Sequence, residues 1–406
     1  MTGQTSNFLE RAQRLGHSTD LLNAGHDIET TINVPNVDAL KALIEPGSEP
    51  ADRQAVGRLL LGAAPPPHPD ADASQQAIVN RVHAYLYGVG DLASSDRQRI
   101  AGAFPLAVKT ASYPNKVIND VWELGTSQPG IVVVNVGTLT MNPNSAVVVR
   151  NSILQFSVDT IVRDGAAPSG YYDFNILGVT GGAGTPGGGS GGGGAGNRGS
   201  GGTCSSPGVA GSAGGDGQRG TTGPTGAAGH TGGDGLPSLP ATLSITTGIT
   251  GSAAQITFMT SSGAGGTGGA GGQGGVGGPG GPGGDGATCG CEGTRGGNGG
   301  PGGAGGSGGQ GGTGGNGVPA AGNIVIKAPA RLASRIAPAV KRTAPPGPGG
   351  PGGGGGGGGP GGGGGSGGKH ESDGGGGGEG AAGSQGPAGN SGSQTGQPAE
   401  VTLIAT

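Results

Sequence analysis

The sequence predicts a chain of mixed class: a small helical N-terminal region, a β-rich platform and a C-terminal bundle of polyglycine II helices. Three observations carry this. Gly supplies 106 of 406 residues, several times the ~7% of an average protein, and nearly all of them lie beyond Gly178. Aromatic residues run the other way, with Phe258 alone beyond Phe174, so an ordinary apolar core belongs to the first part of the chain. In the Gly-rich part the non-Gly residue returns at every third position, which a flexible linker has no reason to do.

Residues 1–120 read as short helices joined by Pro-rich loops. The clearest begins at Ser74, a candidate N-cap, with Ile78, Val82, Tyr85 and Leu86 on one face and Gly88 as its stop. Pro50 to Leu61 and Ser95 to Phe104 are further candidates, and Pro65-Pro-Pro-His-Pro69 is a stiff spacer. Residues 121–180 form the platform. Ile131–Val136, Thr138–Met141, Ala146–Val149 and Ile153–Val158 are β-rich runs separated by Gly137 and Asn142-Pro-Asn144. Their even spacing suits a small solenoid or a sandwich, and the sequence does not choose between them.

Residues 181–400 make three Gly-rich excursions, each returning to a short alternating run: Ala241–Thr247, Gln255–Thr260, Asn323–Lys327, and finally a strand over 401–406. In the second excursion Ala264, Thr267, Ala270, Gln273, Val276 and Pro279 keep one phase. It slips around Cys289-Gly-Cys291 and resumes at Asn298, Pro301 and Ala304. Two phased arms therefore flank one tip. The first excursion keeps Gly at every third position from Gly208 to Gly235. The third turns at Lys369-His-Glu-Ser-Asp373.

Three residues per turn is polyproline II geometry, which has no internal hydrogen bonds, so every backbone donor needs an outside partner. A face that carries only hydrogen lets a neighbouring backbone approach closely enough to supply one. Collagen also needs Gly at every third residue, but Pro224 is the one proline between Gly208 and Gly235, and the arms reverse within one chain.

The chemistry is sparse. A net charge of −4 gives no basic surface for nucleic acid, and no run approaches the ~18 apolar residues of a membrane span. The first residues lack a secretory signal. Cys204, Cys289 and Cys291 fall near the expected tips. If the first two hairpins lie side by side, Cys204 can bridge Cys289 or Cys291; otherwise all three are thiols in turns. They build no metal framework. Gly363 to Lys369 nearly matches a phosphate loop, but His370 stands where Ser or Thr is needed. His17, His26, Asp20 and Asp27 read as polar loop residues and His83 as a helix-surface residue. Trp122 reads as core or subunit interface, and Lys327 to Arg342 as a solvated connector. No catalytic constellation and no cofactor site emerge.

Gly-Gly-X hairpins with polar tips resemble the polyglycine II proteins, namely springtail antifreeze proteins and the tail-tip adhesins of some T-even-like phages. The resemblance covers about residues 181–400. It implies a six-helix bundle and an N-terminal attachment region. The expectation is a non-enzymatic, self-assembling subunit of an extracellular fibre or surface structure. A receptor-binding adhesin comes second, with contacts at Cys204, Cys289, Cys291 and at Lys369, His370, Glu371, Ser372 and Asp373. An ice-binding protein comes third. Expected partners are further copies of the chain or a cell-surface receptor, without nucleic acid or membrane insertion. The expected location is extracellular or on a virion surface.

Overall fold

The computed structural model describes residues 7–44, 50–61 and 75–406; Ser74 and the Pro65–Pro69 spacer lie outside them. Helices α1 (Phe8–Arg14), α2 (Thr19–Asn23), α3 (Val37–Ile44), α4 (Pro50–Leu61), α5 (Gln75–Leu86) and α6 (Ser94–Ile100) occupy the N-terminal region. Asn7 caps α1 and Glu10 reaches back to it, closing a capping box. The purely helical reading of residues 1–120 needs correction, because β1 (Ile28–Val34) and β2 (Leu106–Ile118) lie within it. Ile28, Thr30, Ile32 and Val34 alternate with polar residues, the period of a half-buried strand. β1 pairs antiparallel with β2, Ile28 opposite Ser112 and Val34 opposite Leu106.

Next come β3 (Val121–Met141), β4 (Ala146–Arg163) and β5 (Phe174–Leu177), then the short β6 (Cys204–Ser206) and β7 (Val209–Ala210). β8 (Ala241–Thr250), β9 (Phe258–Ser261), β10 (Ile324–Ala328), β11 (Val340–Arg342) and β12 (Val401–Ala405) complete the set. A 10-stranded sheet holds all but β6 and β7. Its parallel registers resolve the choice between solenoid and sandwich. β2 pairs with residues 131–141 of β3, while residues 121–125 of β3 pair with residues 146–150 of β4. Each long strand therefore serves two ladders in turn. One ladder runs from β2 through the rear halves of β3 and β4 to β8, β10 and β12. The other runs through their front halves to β5, β9 and β11. That is a two-sided parallel coil.

The core lies between the ladders. Val134, Val158, Leu243 and Ile245 are buried there beside a column of rings. Trp122 sits edge-on to Phe156 at 6.2 Å, Phe156 to Phe174 at 5.7 Å, and Phe174 stacks on Phe258 at 5.3 Å. Leu40, Leu60, Leu86 and Tyr87 of the helical layer cover Val108, Ile131, Val133 and Val325 on the outside of the first ladder. Burial on both sides explains why Ile131-Val-Val-Val does not alternate. Gly137 does not interrupt β3 as expected; a Cβ there would lie 2.5 Å from the Pro114 carbonyl oxygen, so the glycine serves close backbone approach. The Lys327–Arg342 segment also departs from its reading as a connector, since its ends belong to β10 and β11.

After β5, β9 and β11 the chain leaves the coil through residues 181–202 (arm 1), 263–287 (arm 3) and 344–368 (arm 5). It returns through residues 211–235 (arm 2), 294–318 (arm 4) and 374–396 (arm 6) into β8, β10 and β12. Backbone bonds recur at every third residue. Arms 1, 3 and 5 run parallel, with Gly181 donating to Ala264 (2.9 Å) and Gly265 to Pro345 (3.0 Å). Arms 2, 4 and 6 form a second layer, with Gly214 donating to Arg295 (2.9 Å) and Gly299 to Gly375 (2.8 Å). Between layers the direction reverses, as in Gly266 to Gly233 (2.8 Å) and Gly300 to Gly281 (2.8 Å). The odd layer thus continues the ladder β5–β9–β11, and the even layer continues β8–β10–β12.

Position in this array explains the strict Gly-Gly-X of the two central arms. Arm 3 is bonded to arms 1, 2, 4 and 5, and arm 4 to arms 2, 3, 5 and 6. Only one row in three of each faces solvent, hence Gly-Gly-X. Arms 2 and 6 lie at the margins and keep an unbroken run of glycine on one row alone, at 211–235 and 374–392, while arm 1 admits Ser190 even to the row that bonds to arm 3. Pro224 lacks an N–H, and the arm 2 to arm 1 series skips from Thr221 to Ala227.

His17 is buried rather than a loop residue, hydrogen-bonded to Ser112 Oγ (2.8 Å) and Thr30 Oγ1 (3.1 Å). Burial lowers its pKa from the ordinary 6.5. The same cause lowers that of His83, half-buried in α5, to about 4. In this range the unfolded chain binds the protons first. The stabilisation is complete above about pH 6.5 and is lost as pH falls through that value towards the folded pKa values. Thermal midpoints measured from pH 7.5 down to 4 should fall, and His83→Gln should flatten that slope.

Candidate functional site at the hairpin tips

The three excursions turn at one end of the arm array, which brings the sequence-predicted tip residues together. β6 and β7 form the first tip, closed by antiparallel pairing of Cys204 with Ala210. The second turns at Gly290, whose φ of +96° is the left-handed backbone that glycine adopts without strain. The third turns at His370, also at positive φ.

Cys204 is bonded to Cys289, which joins the first tip to the second, while Cys291 is exposed and free. Of the two bridges left open by the sequence, the one to Cys289 is present. The second tip is joined to the third by hydrogen bonds. Gly368 N donates to the Thr294 carbonyl (2.9 Å), and Lys369 N donates to Thr288 Oγ1 (3.2 Å). Arg295 faces Glu371 at 3.7 Å. Asp373 Oδ1 accepts from Gly367 N at 2.7 Å and holds the third turn closed. Lys369, His370, Glu371, Ser372 and Asp373 are all exposed. The result is a mainly polar surface that carries both charge signs, a thiol and the exposed Val209.

The bridge closes a loop of sequence separation 85. In the chain-entropy account, a cross-link of that span stabilises by about 4–5 kcal/mol, although measured values more often fall near ~2–4. Reduction, or Cys204→Ser with Cys289→Ser, should lower the thermal midpoint by several degrees, and amides near Thr203 and Ala287 should exchange faster.

Other readings settle simply. Among the described residues no group of three or more His, Cys, Asp or Glu side chains is placed to hold a metal. No helix among them is long and apolar enough to cross a membrane. Gly363 to Lys369, the near-match to a phosphate loop, belongs to arm 5 and its turn. Trp122 packs into the coil's core, edge-on to Tyr113 at 5.5 Å. Two buried ion pairs had no sequence signal. Arg81 and Asp96 form a two-pronged pair (2.6 and 2.9 Å) that holds α5 to α6, and Arg81 lowers the pKa of Asp96. Arg163 and Asp173 pair at a corner of the coil (2.6 Å). The first joins two helices and the second joins turns of the coil. Comparison of the chain with protein-family models, with curated proteins and with solved structures gave no match.

Proposed function

We propose that the chain is a non-enzymatic structural protein whose arms are polyglycine II helices, carried on the coil as a stiff projection. The observation behind this is the bonding between arms at every third residue in two layers, the spacing expected of a helix with three residues per turn. Arms of about 25 residues would project roughly 75 Å at ~3.1 Å per residue. Side chains contribute little between arms, so backbone pairing must offset the large entropy of ordering glycine. The ladders supply the start: adjacent strands fix the spacing and level of adjacent arms before the first arm-to-arm bond forms.

In this reading the chain is a subunit of an extracellular or virion-surface assembly. β12 is the outer strand of its ladder, with Leu403 37% exposed, and such edges accept a further strand. Electron microscopy across dilutions, with and without reductant, tests it. Filaments or sheets are expected, and a monodisperse monomer at every concentration would remove the self-assembly reading.

A second reading, a receptor-binding adhesin, is favoured by the joined tips, which gather turns from all three excursions at the end of the arms remote from the platform. Replacing residues 369–373 and the Cys204 turn should then abolish attachment to host or cell surfaces. Unchanged attachment would eliminate it.

A further inference from the structure

The two broad faces of the arm array differ in chemistry. On the even face Asp216, Asn298, Asp234 and Asn316 tie neighbouring arms together. Asn298 N donates to Asp216 Oδ1 (2.8 Å) while Asn298 Oδ1 accepts from Gly375 N (2.8 Å), and Asn316 repeats the pattern with Asp234 (2.6 Å) and Ser393 (2.9 Å). The odd face displays mainly Pro, Ala and Gly. Its charged pair, Arg198 and Asp285 (2.5 Å), lies near the tips and is mutually satisfied.

Arms 3 and 5 present complementary outward rows on that odd face. Their levels are fixed by the bonds Gly265 to Pro345, Gly271 to Pro351, Gly274 to Gly354, Gly277 to Gly357 and Gly283 to Gly363. Along arm 3 the row reads Ala264, Thr267, Ala270, Gln273, Val276, Pro279, Pro282. At the same levels arm 5 reads Pro345, Pro348, Pro351, Gly354, Gly357, Pro360, Gly363. Ala or Thr therefore stands level with Pro, Gln273, Val276 and Pro282 stand level with Gly, and at one level Pro279 stands with Pro360. Val276 is 52% exposed.

The glycines of this row are not needed within the chain. A Cβ at Gly354, Gly357 or Gly363 meets nothing within 4 Å, whereas one at Gly353 would lie 2.0 Å from the Gly272 carbonyl oxygen. Bare glycines also occur at Gly182, Gly188 and Gly378, but on arm 5 three of them share one outer row and stand level with the larger Gln273, Val276 and Pro282, which leaves room for a closely approaching partner.

We propose that the odd face packs against the odd face of a second copy of the chain, related by a two-fold axis parallel to the arms and lying between arms 3 and 5. Rotation about that axis lays arm 3 of each copy on arm 5 of the other at equal levels. Val276 then meets Gly357, and Gln273 meets Gly354, twice each, as an isologous contact requires. Two rows ~75 Å long at a spacing of ~4.8 Å cover about 720 Å² per partner, within the range around the ~800 Å² of a standard stable interface. This rests on the arms being polyglycine II helices, as proposed above.

The test is sedimentation of the full-length Cys291→Ser chain from 0.1 to 100 μM, with small-angle scattering of the same samples. A dimer is expected as the smallest associated species, the unit from which any larger assembly is built. Val276→Lys and Gly357→Lys should each raise its dissociation constant at least tenfold, while Ser307→Lys on the even face leaves it within twofold. Combining Val276→Lys with Gly357→Asp should restore much of the loss. A monomer at all concentrations whose scattering still shows a rod of ~75 Å overturns the dimer together with the self-assembly reading and leaves the arms standing, whereas assemblies unchanged by Val276→Lys and Gly357→Lys overturn the dimer alone. A dimer disrupted equally by Ser307→Lys overturns the assignment of the face. Scattering without a rod overturns the reading of the arms and the dimer with it.

Discussion

Gly303→Ala should destabilise the protein by about 3 kcal/mol or more, a large effect for one methyl group. Gly303 lies in arm 4, and a Cβ there would stand 2.0 Å from the Thr221 carbonyl oxygen and 2.8 Å from that of Gly220. No flexible side chain can move aside, because the obstacle is backbone. Arm 2 must retreat, and retreat stretches the bonds Gly220 to Pro301 (3.0 Å) and Gly223 to Ala304 (2.8 Å). Gly378→Ala is the matched control, since a Cβ at Gly378 meets nothing within 4 Å. Both substitutions reduce the freedom of the unfolded chain alike, which stabilises by ~0.4–1 kcal/mol where the native backbone tolerates Ala. Thermal and urea unfolding should therefore move in opposite directions for the two variants. Equal small shifts would mean that the arms are not closely packed, and would count against the polyglycine II reading as well.

That contrast marks how far the sequence could be read. The triplet period and the hairpin tips were visible because glycine spacing records which rows face other arms, and the strict Gly-Gly-X of 264–285 and 298–316 belongs to the two central arms. The pairing of Cys204 with Cys289 rather than Cys291 was not visible. Either sulfur lies near the tip, and the choice depends on the Gly290 turn, which buries Cys289 and leaves Cys291 in solvent. β1 and β2 were missed for a different reason. Ile28–Val34 is a short alternating run between helices, and β2 holds Pro114 and Asn115, which argue locally against a strand; pairing with β3 overrides them. His17 read as a loop residue because its partners belong to β1 (Thr30) and β2 (Thr110, Ser112), strands absent from the helical reading of residues 1–120.

Asp173→Ala should cost about 3–5 kcal/mol, the range for stranding a buried charge. Arg163 is 0% exposed. Its Nε donates to Asp173 Oδ1 at 2.6 Å, and its remaining nitrogens reach the carbonyls of Met141 (3.1 Å), Asn142 (2.6 Å), Asp164 (3.2 Å) and Ser145 (3.2 Å). The other carboxylate oxygen of Asp173 accepts from Thr257 N (2.8 Å) and Thr257 Oγ1 (2.9 Å). One ion pair thus fastens the β3–β4 turn, the end of β4 and the approach to β9. Asp173→Asn keeps an acceptor for Arg163 and should cost less than Ala. Arg163→Leu with Asp173→Ala should recover only part of the loss, because it removes the stranded charge and also the donors of those carbonyls.

The location of the damage is the sharper measurement. Asp173 immediately precedes β5 and Thr257 immediately precedes β9, the strands that lead into arms 1 and 3. If the ladders set the arms, amide exchange in Asp173→Ala should rise first at Gly181, Gly184 and Gly265, next to the platform. Gly199, Gly202 and Gly286 lie near the Cys204–Cys289 bridge and should stay protected longest. Uniform exchange along the arms would mean that the array orders itself independently of the coil, and that the three-residue period alone is enough to build it.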